Sequence, residues 1–149
     1  MRTARLTALV IGLALLAGCD SESDAPATDR KPRFSYEERV IRGWLLALER
    51  EYYAGAAYYF APGALIDQGE PYRLRNQSAA RTFNAGLPCR ANLAGVKEEG
   101  PTVLASFRLR RGPGGPCSGT VRVRFTIREG KFVQWRQLPE EPPPTGEPA

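Results

Sequence analysis

The side chains best equipped for chemistry are three cysteines, Cys19, Cys89 and Cys117, and the chain has no histidine to assist them. That absence removes Ser/His and Cys/His nucleophile pairs, the two-histidine zinc site and any imidazole acid or base. A zinc site using all three cysteines is disfavoured, because Cys19 stands at the end of an apolar N-terminal run. No metal site and no cofactor motif is expected. Arg108, Arg110, Arg122 and Arg124 stand at alternate positions, which puts guanidinium groups on one side of a sheet. They read either as a stripe for anionic headgroups or as the solvated face, and the second leads because strand alternation alone demands polar residues there. Aromatics form another grouping at Tyr52, Tyr53, Tyr58, Tyr59 and Phe60, and the candidate pocket residues are Trp44, Tyr58, Phe60 and Tyr72. Aromatics at helical spacing more often fill a core than line a pocket. Gly112-Pro113-Gly114-Gly115-Pro116 precedes no helix and carries no Lys-Ser/Thr, so it is not a phosphate loop.

The elements that must position these residues fit within 149 residues, of which 42% are hydrophobic. That is room for one domain of ordinary size with a core of its own. The formal net charge of +5 is mild and points to no particular partner.

Residues 1–19 read MRTARLTALVIGLALLAGC: two arginines, an apolar run from Leu6 to Leu16, then small residues. The run is shorter than the roughly 20 residues a membrane-spanning helix needs. Leu16-Ala17-Gly18-Cys19 resembles the lipobox of bacterial lipoprotein precursors. The resemblance implies that residues 1–18 are a signal peptide and that Cys19 carries diacylglycerol, with acyl chains such as palmitate holding the protein on the extracytoplasmic face of the cell membrane. Each buried CH₂ contributes about 0.8 kcal/mol, and two chains make the anchoring stable. The same resemblance implies that Asp20, next in line, favours retention in the inner membrane where the organism has two. Loss of Arg2 and Arg5 with the signal takes the 21 basic residues to 19, against 16 acidic. Nucleic acid is an improbable partner in that compartment, whereas disulfides persist there. With Cys19 lipidated, Cys89 and Cys117 are expected to pair.

From Asp20 to Arg33 the chain reads DSESDAPATDRKPR, a composition suited to a tether, and Pro139 to Ala149 is a proline-rich tail. The folded part is expected over 34–138. Ser35-Tyr36-Glu37-Glu38 is a capping box, and Val40, Ile41, Trp44, Leu45, Leu48 and Tyr52 form the apolar stripe of the helix it opens. A second short helix is expected over Tyr53–Phe60, extended pieces at Ala64–Asp67 and Tyr72–Leu74, and a third helix over Ser78–Ala85 with Ser78 as N-cap. After Cys89 the period becomes 2. Strands are expected near Asn92–Lys97, Val103–Leu109, Val121–Ile127 and Lys131–Leu138, separated by turns at Glu99-Gly100, Gly112–Gly115 and Glu129-Gly130.

This α+β order, with helices on one face of a curved antiparallel sheet, resembles the cone-shaped nuclear-transport-factor-2-like (SnoaL-like) fold. The likeness rests on VIRGWLLALEREYYAGAAYYFAPGALI and on VRVRFTIREGKFVQWRQL. It implies a cavity for a small apolar ligand or a surface for an envelope protein, with a homodimer as a further partner. Enzymes of this fold, such as polyketide cyclases and steroid isomerases, place an acid or base in the cone. The resemblance makes Asp67 the one weak catalytic candidate, with Tyr58 or Tyr72 as hydrogen-bonding partner. A solvated turn residue before Gln68-Gly69 is the leading reading of Asp67, and binding of a small apolar ligand or a protein partner without catalysis is the leading expectation.

Overall fold

The computed structural model describes residues 34–139. The expected signal peptide, Cys19, the tether up to Arg33 and tail positions 140–149 lie outside the described residues.

Helix α1 runs Tyr36–Glu49 and is capped by Ser35, whose hydroxyl accepts the Glu38 N–H at 3.2 Å. Only this half of the capping box forms. The Glu38 carboxylate instead takes Nε and Nη2 of Arg42, one turn on, at 2.9 and 2.7 Å, because a charge-assisted pair outcompetes a neutral amide. The stripe buries Val40, Ile41 and Trp44 and half-buries Leu45 and Leu48, but Tyr52 stays exposed. Helix α2 covers Tyr53–Ala57, three residues short of expectation. Phe60 already belongs to β1, Phe60–Asp67, since the Phe132 N–H donates to Tyr59 O at 2.7 Å and pulls this stretch into the sheet. Pro62 and Gly63 fall where the β1 ladder shifts register between Phe60 and Leu65. A residue with no N–H fits such an interruption, and Gly63 takes φ +77° to make it.

Strand β2 is Pro71–Leu74 and helix α3 is Gln77–Ala85. The α3 cap is Asn76, not Ser78: its side chain accepts the Ala79 N–H at 2.9 Å from an extended backbone. Strands β3 (Arg90–Glu99), β4 (Thr102–Arg110), β5 (Thr120–Arg128) and β6 (Lys131–Gln137) follow. Among the described residues six strands make one curved, unclosed sheet in the order β2-β1-β6-β5-β4-β3. Neighbours are antiparallel except β1 and β6, which are parallel. The α+β class is as expected.

One sheet face carries the core: Val103, Ala105 and Phe107 of β4, Val123 and Phe125 of β5, and Phe132 and Trp135 of β6. Phe132 and Trp135 are three apart, and strict alternation would put them on opposite faces. A register shift between Thr126 and Ile127, which pair with Gln134 and Phe132, turns both inward. Trp44 completes the cluster from the helical side, meeting Phe60, Phe107, Phe125 and Phe132 edge-on at centroid distances between 5.5 and 6.4 Å.

Candidate functional site

The inner sheet face is not filled to its end. A cavity of about 700 Å³ remains, with Trp44 and Leu48 of α1, Phe107 and Leu109 of β4, Val121 and Val123 of β5 and Trp135 of β6 in its wall. Its rim is built from two stretches: Leu87, Pro88 and Cys89 after α3, and Pro113, Ser118 and Gly119 between β4 and β5. Cys89 and Cys117 are joined by a disulfide with α-carbons 5.9 Å apart, so the rim is covalently closed at this point. The glycines of the rim loop allow close backbone approach. A Cβ at Gly112 would stand 2.5 Å from Pro88 O, and one at Gly114 would stand 2.6 Å from Pro88 Cβ. The Gly114 N–H donates to Pro88 O at 2.9 Å.

Polar side chains share the wall with the apolar ones, among them Tyr53, Gln68, Asn84, Ser118, Thr120 and Arg122. Asn84 of α3 is 1% exposed; its Oδ1 accepts the Trp44 Nε1–H at 2.8 Å and its Nδ2 donates to Ala80 O at 2.7 Å. An amide nitrogen has two hydrogens, so Asn84 keeps one donor to spare. The Trp135 Nε1–H is buried and has no hydrogen-bond partner among the described residues. Glu49 is the one carboxylate among the described lining residues, and it accepts from Arg110 Nη2 at 2.8 Å. Arg90 pairs with Glu51 beside it. Arg110 is thus balanced by Glu49 and Arg90 by Glu51, Arg122 in the wall is also engaged, and the Trp135 indole and the Asn84 amide offer hydrogen-bond donors to a neutral acceptor. Among the described residues no three His, Cys, Asp or Glu side chains gather to hold a metal ion.

Of the candidate pocket residues, Trp44 lines this cavity. Phe60 is 1% exposed and packs in the core against Phe83 and Phe132. Tyr58 projects from the end of α2 and borders a separate groove on the outside. Tyr72 stands on edge strand β2, where desolvation raises its hydroxyl above 10.0, further from acid–base use at neutral pH. Asp67 is not in the cavity wall. Ile66 pairs with Trp135 on the inner face, so the next pair, Asp67 with Arg136, faces outward. The carboxylate is held there by Arg136 Nε at 3.0 Å and by the Gly69 N–H at 3.2 Å. Neither Tyr58 nor Tyr72 is its partner. The arginines at alternate positions divide: Arg110 meets Glu49 and Asn92, Arg124 meets Glu99 at 3.0 Å, Arg122 is also engaged, and Arg108 is exposed.

Two residues of the site escaped sequence reasoning, Asn84 and Trp135. Asn84 stands four residues after Ala80 on the buried stripe of α3, and a polar residue at a core position was the available signal. Trp135 depended on the register shift in β6, for which the sequence carries no mark.

No protein-family model matches this sequence, and no curated protein matches it significantly. Solved structures do. A candidate polyketide cyclase from Sinorhizobium meliloti is 18% identical, with a TM-score of 0.55 over 67% of this chain and 94% of that one. A nuclear-transport-factor-2-like protein of unknown function from Cytophaga hutchinsonii is 9% identical, with a TM-score of 0.57 over 72% and 92%. A candidate ketosteroid isomerase from Kribbella flavida is 16% identical, with a TM-score of 0.53 over 71% and 81%. At such identities the likeness concerns architecture, and on that ground the chain has the nuclear-transport-factor-2-like fold.

Proposed function

We propose that this protein is a lipid-anchored extracytoplasmic lipoprotein whose single domain binds a small, neutral, largely apolar ligand without transforming it. The observation that carries the reading is the pair of spare N–H donors at Asn84 and Trp135 set among the aromatic and aliphatic side chains of the cavity wall, while Arg90, Arg110 and Arg122, which also line it, are engaged elsewhere. A volume of about 700 Å³ suits a ligand of two to four fused rings or an equivalent chain. A carbonyl or ether oxygen on such a ligand would satisfy the Trp135 indole, whose isolation otherwise costs about 1–3 kcal/mol. Catalysis through Asp67 is not part of the proposal, because its carboxylate is committed to Arg136 on the other sheet face.

Trp44 and Trp135 are the two tryptophans of the chain, and both line the cavity. Intrinsic emission therefore reports occupancy directly. Protein purified from its own envelope should release a neutral organic compound on solvent extraction, and adding the compound back should shift or quench the emission saturably. A panel of neutral ring compounds and native extract that leaves the emission unchanged would count decisively against ligand binding.

A further inference from the structure

A second concavity lies outside the core, between α1 and the turn around α2. It has a volume of about 410 Å³ and is bordered by Gly43, Ala47, Tyr52, Gly55, Tyr58 and Tyr59. Two glycines floor it. A Cβ on Gly43 would fall 2.3 Å from the Tyr59 hydroxyl, and one on Gly55 would fall 2.2 Å from the Tyr52 ring. Neither glycine has a positive φ, so what each supplies is room for a tyrosine ring on bare backbone. Glycine inside a helix costs about 1 kcal/mol relative to alanine, and ring placement is what that cost supports here. Tyr52 and Tyr58 are nevertheless 59% and 62% exposed, and Leu46 beside them is 46% exposed. Arg50 borders the same groove, and its side chain has no partner among the described residues.

We propose that this groove receives the proline-rich segment beginning at Pro139, supplied by a second copy of the chain. Aromatic-walled grooves recognise proline-rich segments, whose polyproline II form costs little entropy to fix. Positions 139–149 read PEEPPPTGEPA, five prolines and three glutamates without a basic residue. Pro139 and Pro142 are three apart in sequence, so a polyproline II form bound in the groove would set both rings on one face against the tyrosines and leave Glu140 and Glu141 for Arg50. The chain's own segment starts in the wrong place. Gly130 borders the groove, and β6, seven residues long, carries the chain about 23 Å from there before Pro139 begins. Three further residues reach only about 9 Å back. A contact made by Pro139 and Pro142 therefore joins different surfaces of two copies, head to tail.

The test uses two altered full chains in dilute detergent, one with Tyr58→Ser and one lacking residues 139–149. Each should stay monomeric by sedimentation at concentrations where the unaltered chain self-associates, and Arg50→Glu should weaken association at least threefold. Mixed, the two altered chains should form a one-to-one complex, since one supplies the segment and the other an intact groove. Tyr58 is largely exposed, so its replacement does not touch the core. Failure of the mixed chains to pair overturns the proposal. So does self-association of the shortened chain at the unaltered strength, which would mean that the groove meets another surface of the second copy.

Discussion

Trp44 and Asn84, forty residues apart, are joined inside the core by an indole N–H donated to a side-chain amide oxygen at 2.8 Å. The bond ties α1 to α3 at the place where the aromatic cluster ends and the cavity begins. Asn84 in turn holds Ala80 O, so the amide is braced before any ligand arrives. An apolar residue at position 84 would leave the Trp44 indole without this acceptor.

Asn84→Ala should therefore cost more than a lost contact. It strands the Trp44 N–H, which alone amounts to about 1–3 kcal/mol, and opens a void beside the cavity. Urea denaturation should show a loss of about 2–4 kcal/mol with an unchanged m-value. A loss below about 0.5 kcal/mol would mean that water replaces the amide and that the bond is incidental.

The same pair shows how far the sequence can be read. Trp44 is legible because its neighbours recur at helical spacing, and the α+β order follows from the change of period after Cys89. Local signals misled where tertiary pairing won: Phe60 continues an apparent helix until Phe132 claims its neighbour's carbonyl, and Ser78 looks like a cap although Asn76 already provides one. Asp67 illustrates the limit for chemistry. Its position after β1 is visible, but the face it takes depends on its parallel pairing with Arg136, a contact between residues far apart in sequence.

The disulfide supports the cavity rim, and its removal should be felt there first. Double replacement, Cys89→Ser with Cys117→Ser, frees a loop whose ends are 28 residues apart. On the chain-entropy account the bridge contributes about 3.5 kcal/mol, so a destabilisation of about 2–3.5 kcal/mol is expected with the fold retained. Hydrogen exchange of the backbone over residues 111–119 should accelerate more than that of β4 and β5. Equal acceleration throughout would show that the bridge acts only on the unfolded chain.

Replacing Cys19 with Ser should leave the protein unlipidated, since the proposed acyl acceptor is lost. Detergent phase partitioning should move it from the detergent-rich to the aqueous phase. Mass spectrometry of the unaltered N-terminus, purified from the native host, should find diacylglycerol on that residue. An unmodified Cys19 in native protein would remove the anchor from the proposal.

Arg124 offers a sharper test of what the arginines on the strands are for. Glu99 accepts from its Nε and Nη2 at 3.2 and 3.0 Å, and that hydrogen bond, aided by the charges of Arg124 and Lys97, holds the Glu99 carboxyl below its ordinary 4.5. A carboxyl whose folded value is depressed binds protons more readily in the unfolded chain. Its contribution is thus complete above pH 4.5 and is lost as pH falls through the lower, folded value. Thermal melts between pH 3 and 6 should fall more steeply for the unaltered protein than for Arg124→Gln, and the two curves should converge at the acid end. The gap should be small, as befits a solvent-exposed pair, and should shrink in high salt. Binding of the soluble domain to anionic vesicles, in contrast, should not change on reversing Arg108, Arg110, Arg122 and Arg124, because Arg110 and Arg124 already have acidic partners within the fold and Arg122 is engaged. A salt-dependent loss of vesicle binding in that variant, with melting curves that stay parallel across pH, would assign these arginines to the membrane surface instead.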